Sequence, residues 1–166
     1  MKGYLPTYDG CMVCGVRDVN PAAMQVRFYW DGEKIDTRVH PDAIYNGYDG
    51  ILHGGVITAL LDEAMGWAAA VERKCYFVTG EINVRFLKPV LTKQALRLVC
   101  RCVEHRARYS ISVGELEDES GQVLARGEGK FFEIPYVEAL KIKKYLHFKK
   151  DDLDILENPK ERGQYV

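Results

Sequence analysis

The chain has 166 residues, with 23 basic and 24 acidic side chains giving a net charge of −1. That length predicts one domain burying roughly 70% of its unfolded surface, and the cancelling charge excludes the broad field of a nucleic-acid or anionic-membrane binder. No apolar run approaches the roughly 20 residues that span a bilayer, and Met1–Pro6 lacks the apolar core of a secretory signal, so a cytoplasmic protein with no membrane or nucleic-acid partner is expected.

Residues 1–23 form a lead-in punctuated by Gly and Pro. Five cysteines (Cys11, Cys14, Cys75, Cys100 and Cys102) are an odd number in a chain large enough to need no staples, which fits a reducing compartment. Cys11-x-x-Cys14-Gly15 has the spacing of half a metal site or of a redox pair. With no second pair at the usual distance, it reads as two small apolar residues in a turn, and no metal is expected. Cys100-x-Cys102 reads as the inner face of a strand.

Met24–Trp30 alternates apolar and polar residues as a half-buried strand does, Asp31-Gly32 is a hairpin turn, and Glu33–Val39 alternates again. His40–Leu52, with Pro, Asn, Asp and two Gly, reads as a loop. From Gly54 to about Glu72 the period changes: Ile57, Leu60, Leu61, Ala64, Met65 and Ala68 make one stripe at helical spacing, on a helix roughly 28 Å long. Its other faces carry few charges, so something must wrap it. Tyr76–Phe86, Gln94–Glu104, Ala107–Leu116 and Gln122–Ile134 are the wrapping strands, read as an antiparallel meander in which Val78, Ile82, Val84 and Phe86 share one face. The expected fold is α+β, with a curved antiparallel sheet of about six strands around one long central helix, over residues 1–134. Residues 135–166 form a lysine-rich extension of one or two short amphipathic helices, capped at Asp151 and ending in a frayed tail.

The chemistry concentrates at His53-Gly54-Gly55 and the helix that starts there. A helix N-terminus offers unpaired N–H donors and a partial positive charge, suited to an anion or a polarised carbonyl oxygen. Asp62 lies about two turns deeper, among the small residues Gly55, Thr58, Gly66 and Ala69, which let a slender ligand approach. Glu63 falls on the other flank, so the two carboxylates are not expected to serve one site. His53 also suits the role of helix cap.

The run Asn46-x-x-x-Gly50-x-x-His53-Gly54-Gly55-Val56 through Leu61-Asp62-Glu63-x-x-Gly66, then Thr79-Gly80-Glu81-Ile82-Asn83-Val84-x-Phe86-x-x-Pro89, resembles the hotdog-fold acyl-CoA thioesterases. The nearest branch is that of the phenylacetate-pathway thioesterases. The Cys11-x-x-Cys14-Gly15 lead-in with Asn20-Pro21 also recurs there, and the resemblance covers about residues 10 to 134. It implies a homodimer, or a dimer of dimers, whose joined sheets place active sites between chains. It implies that Asp62 is the catalytic acid that activates water or attacks, and that Gly54 supplies the N–H donor polarising the thioester carbonyl. Asn46 falls near the loop amide that assists the leaving thiolate, and Thr79 matches a strand hydroxyl facing the site from the partner chain. His53, Gly55 and Met65 are the expected substrate contacts. No cofactor is implied beyond the CoA of the substrate.

Elementary chemistry agrees with that reading. Thioester hydrolysis builds charge on the carbonyl oxygen, which a fixed N–H donor stabilises by about 3 kcal/mol, and it needs a base or nucleophile, which a carboxylate supplies. No G-x-S-x-G serine motif competes with it. A non-catalytic acyl-CoA or acyl-carrier binding protein on the same scaffold is the alternative.

Overall fold

A computed structural model describes residues 1–162. Among these residues, two-residue strands β1 (Gly3–Tyr4) and β2 (Tyr29–Trp30) lead to β3 (Ile35–Val39). A short hairpin of β4 (Asn46–Tyr48) and β5 (Ile51–Leu52) precedes the long helix α1 (Gly54–Arg73). Four long strands follow: β6 (Phe77–Phe86), β7 (Leu96–His105), β8 (Tyr109–Asp118) and β9 (Val123–Glu133), and then α2 (Tyr136–Lys143). The main sheet is antiparallel, with seven strands in the order β1-β2-β3-β7-β8-β9-β6 among the described residues, and it wraps α1. This is the hotdog architecture.

The helix forms where its period says it should. All six residues of the apolar stripe are 3% exposed or less, and they meet the inner face of β7, β8 and β9. At 20 residues, α1 is also long and apolar enough to cross a bilayer, which corrects the reading that no run reaches that length. Here the sheet consumes the apolar stripe instead. The closest approach falls where Gly114 pairs with Gly127 across β8 and β9. A Cβ on Gly114 would lie 2.5 Å from Cys100 Sγ and 3.1 Å from Leu61, so a side chain there would push the helix off the sheet.

Four departures from the sequence reading have physical causes. Only Tyr29 and Trp30 of the first predicted strand join the sheet, because Gln25 turns at φ 60° and the preceding residues bond the lead-in instead (Met24 N–H to Met12 O, Val26 N–H to Val13 O). Residues 46–52 form a hairpin rather than an open loop, with Gly50 at φ 71° in its turn. The meander holds for β7–β9 alone. β6 pairs with β9 at the far edge, because the segment after it leaves the sheet and bonds to residues 41–52 (Thr92 N–H to Gly50 O, Lys93 N–H to Pro41 O). Finally, the pairing of β6 with β9 shifts between Thr79 and Glu81, leaving Gly80 as an extra residue. That bulge reverses the alternation: Thr79 faces α1, and Val78 lies 56% exposed on the outside.

The extension packs back on the domain. Thr7 and His147 exchange backbone hydrogen bonds at 3.1 and 2.7 Å, Leu153 N–H donates to Tyr4 O, and Ala139 and Ile155 are buried. Asp151 begins no helix, and the expected frayed tail, insofar as it concerns residues 163–166, lies outside the described residues.

Candidate active site

Two clefts open along α1, and the predicted residues divide between them. The first, about 330 Å³, runs beside the middle of the helix, where Asp62, Glu63, Gly66 and Trp67 form one side. Tyr76 of the α1–β6 connection and Phe77, Thr79 and Phe131 of the sheet, with Ile142 and Leu146 of the extension, form the other. The second sits at the helix N-terminus, between Gly47, His53 and Gly54 on one wall and Phe86, Pro89 and Val90 on the other.

In the first cleft, Thr79 Oγ1 donates to Asp62 Oδ1 at 2.7 Å, within one chain. The structure thus places Thr79 beside the Asp62 of its own chain, where the resemblance implied a hydroxyl reaching in from the partner. Half-burial pushes the Asp62 carboxyl above the usual aspartate range, and the Thr79 hydrogen bond pulls the other way. Oδ2 remains directed to no protein donor among the described residues. Glu63 borders the same cleft, although the helical angle had set it on a separate flank. Burial and the neighbouring Cys11 push its carboxyl up to about 8. Cys11 itself falls to about 5, chiefly through the hydrogen bond with Cys14, whose own thiol is raised by that bond and by burial.

In the second cleft, His53 caps α1: its Nδ1 accepts the Gly55 N–H at 2.9 Å, and its carbonyl accepts from Val56 and Ile57. Three of the four donors of the first turn are therefore engaged, and the Gly54 N–H is the one left for a ligand. The Gly55 N–H is thus committed to the cap. A Cβ on Gly54 would lie 3.3 Å from the Phe86 ring, so the H-G-G and F-x-x-P motifs are opposite walls of one cleft. Asn46 stands just behind, with its Oδ1 accepting from Thr92 Oγ1 at 2.9 Å, while Gly47 lines the cleft. Met65 lies away from both clefts, fully buried against Gly127 and Gly129.

Sequence reasoning did not single out the aromatic walls of the first cleft, nor Ile142 and Leu146. Trp67 carried a helical-spacing signal. The apolar residues of the extension were hidden in a lysine-rich run, and nothing local marked them as cleft lining.

Residues 49–125 match the model of the thioesterase superfamily. An uncharacterized protein of Schizosaccharomyces pombe is 30% identical over 99 residues, 57% of each chain. A thioesterase superfamily protein of known crystal structure superposes with a TM-score of 0.68 at 25% identity, over 75% of this chain and 61% of that one. A Bacillus halodurans protein crystallised with CoA is 28% identical, with a TM-score of 0.54, over 59% of this chain and 70% of its own. This chain spans less than two thirds of the length of the first two, 57% and 61% respectively. The fold is the hotdog fold, and residues 49–125 are similar to the thioesterase superfamily; the structural neighbours include proteins crystallised with CoA.

Proposed function

We propose that the protein is an acyl-CoA thioesterase, hydrolysing the thioester to CoA and a carboxylic acid. The observation that carries the reading is the Thr79–Asp62 hydrogen bond, on the wall of a cleft lined by aromatic and apolar side chains. It holds one carboxylate oxygen and leaves the other to take a proton from water, or to attack the carbonyl itself. As the carbon becomes tetrahedral, the Gly54 N–H and the dipole of α1 stabilise the oxyanion. The C–S bond then breaks, and the Asn46 amide lies near the departing sulfur.

Geometry adds a condition. Gly54 and Asp62 are eight residues apart on one helix, about 12 Å along its axis, too far to serve one carbonyl. The acid of one protomer therefore works with the donor of its partner, in a homodimer that completes each site from both chains. The outer edge of β6, unpaired among the described residues, supports such an assembly, since an exposed edge strand is a template for a second copy. A dimer of dimers fits the same site.

The walls Trp67, Tyr76, Phe77 and Phe131 suit an apolar acyl group. Together with the motifs of the phenylacetate-pathway branch, they make an aryl-acyl-CoA the first substrate to try. The test is release of free thiol from aromatic, short and long acyl-CoAs, by wild type and by Asp62→Asn. Turnover of at least one class by wild type, abolished in the variant, is the expected result. Tight binding of acyl-CoA with no thiol released would make the protein an acyl-CoA carrier instead.

A further inference from the structure

The hydrolysis proposed above leaves Glu63 unused, although it borders the same cleft and is partly buried there. The side chains that act most strongly on its carboxylate are Cys11, Cys14 and Trp67, and none of these is a cation. A buried carboxylate without a countercharge is costly, so this one needs a reason to exist. Cys11 Sγ lies 3.1 Å from Glu63 Oε2. Both sulfurs and a carboxylate oxygen of Glu63 fall within 4.8 Å of one another. A tetrahedral ion with bonds of about 2.3 Å to sulfur and about 2.0 Å to oxygen holds its ligands roughly 3.5–3.8 Å apart, which this cluster reaches by small side-chain movements.

The turn is also built to present sulfur. The backbone N–H groups of Val13 and Cys14 point at Cys11 Sγ, at 3.2 and 3.4 Å, an arrangement that favours the thiolate. Gly15 closes the loop by donating to Cys11 O at 3.0 Å, and a Cβ there would lie 2.2 Å from that oxygen. Two thiolates with a carboxylate select a borderline-soft ion over magnesium or calcium, and an iron–sulfur cluster asks for four thiolates.

We propose that Cys11, Cys14 and Glu63 hold a zinc ion that fastens the N-terminal segment to the middle of α1, with water as the fourth ligand. This goes beyond the thioesterase reading and does not depend on it. The ion attaches residues 11–14 to the helix position next to Asp62, so its role is to hold that flank in place.

The experiment uses the full chain, purified without chelators, and measures metal content and cobalt titration. About one zinc per chain is expected. After replacement by Co²⁺, a thiolate-to-cobalt charge-transfer band should appear, with the intense visible bands of a tetrahedral site. Cys11→Ser and Cys14→Ser should each lose the charge-transfer intensity in part, and the double variant should lose it entirely. Glu63→Gln should keep the band but bind cobalt at least tenfold more weakly. Cys102→Ser, in the separate cluster of Glu72, Cys102 and His105, should bind like wild type. If a variant fails to fold, wild type alone decides: no zinc above background and no cobalt band in folded protein overturns the proposal. So does a band that survives in the double variant or vanishes in Cys102→Ser, or a Cys11–Cys14 disulfide that forms in the presence of zinc.

Discussion

The two clefts on α1 differ in how far along the chain their walls are gathered. The one at the helix N-terminus is assembled from two short runs, residues 47–57 and 86–90. The one around Asp62 draws its walls from Val13 to Leu146. The first is local backbone chemistry: a cap, an open N–H and a ring over a glycine. The second is long-range packing around one acid. The difference teaches that a donor can be set by a contiguous motif, whereas tuning a carboxylate requires enclosure by distant parts of the chain.

The comparison predicts a graded set of losses. Asp62→Asn removes the base or nucleophile and should lower thiol release by about 10²–10⁴-fold while the protein stays folded. Near-normal turnover would strip the middle cleft of its role. Gly54→Pro deletes a single donor. His53 already has φ −63° and ψ 134°, as a residue before proline requires, and proline suits the first helical position. The rate should fall about 10²–10³-fold with the circular dichroism spectrum unchanged. Gly54→Ala, which keeps the N–H, should stay close to wild type once the Phe86 ring gives by a few tenths of an ångström.

Mixing Asp62→Asn with Gly54→Pro sharpens the point. If each site joins Asp62 of one chain to Gly54 of the other, a mixed dimer has one doubly damaged site and one intact site. Random exchange of subunits should then restore about a quarter of wild-type activity, because half the dimers are mixed and half their sites are whole. No recovery after verified exchange would mean that each chain works alone.

Thr79→Val should cost about tenfold in kcat, since it frees the Asp62 oxygen that the hydroxyl now holds, and Thr79→Ser should recover most of it. The smallest effect is a control far from both clefts. Arg97 Nε donates to Asp36 Oδ1 at 2.8 Å, and its guanidinium holds that carboxyl below the usual range. The stability so gained is present above the ordinary aspartate pKa of about 4 and is lost as pH falls through the lower folded value. Asp36→Asn should therefore lower stability at neutral pH by no more than about 1 kcal/mol, leave thiol release unchanged, and show a smaller difference from wild type in acid melts.

What could be read in the residues follows the same division. The stripe from Ile57 to Ala68 was legible position by position, because helical period is a local property. The cap at His53 was legible for the same reason. The partner of β6 was not, since pairing with β9 brings Phe77 against Glu133, far along the chain. The outward turn of Val78 was not either, because one bulged residue resets the alternation of a strand. Nor did the lysine-rich extension announce that Ile142 and Leu146 would close a cleft.

That bulge sets an unusual constraint on insertions and deletions. With the extra residue at Gly80, both Thr79 and the Ile82, Val84, Phe86 series turn toward the helix. Flattening the bulge with Gly80 retained would send the hydroxyl and that apolar series to opposite sides, whereas excising Gly80 leaves Thr79 and Ile82 two positions apart, on the same side. A codon lost at Gly80 is therefore expected to be tolerated, while one lost between Ile82 and Phe86 would force the chain to choose between a filled interior and a tethered acid.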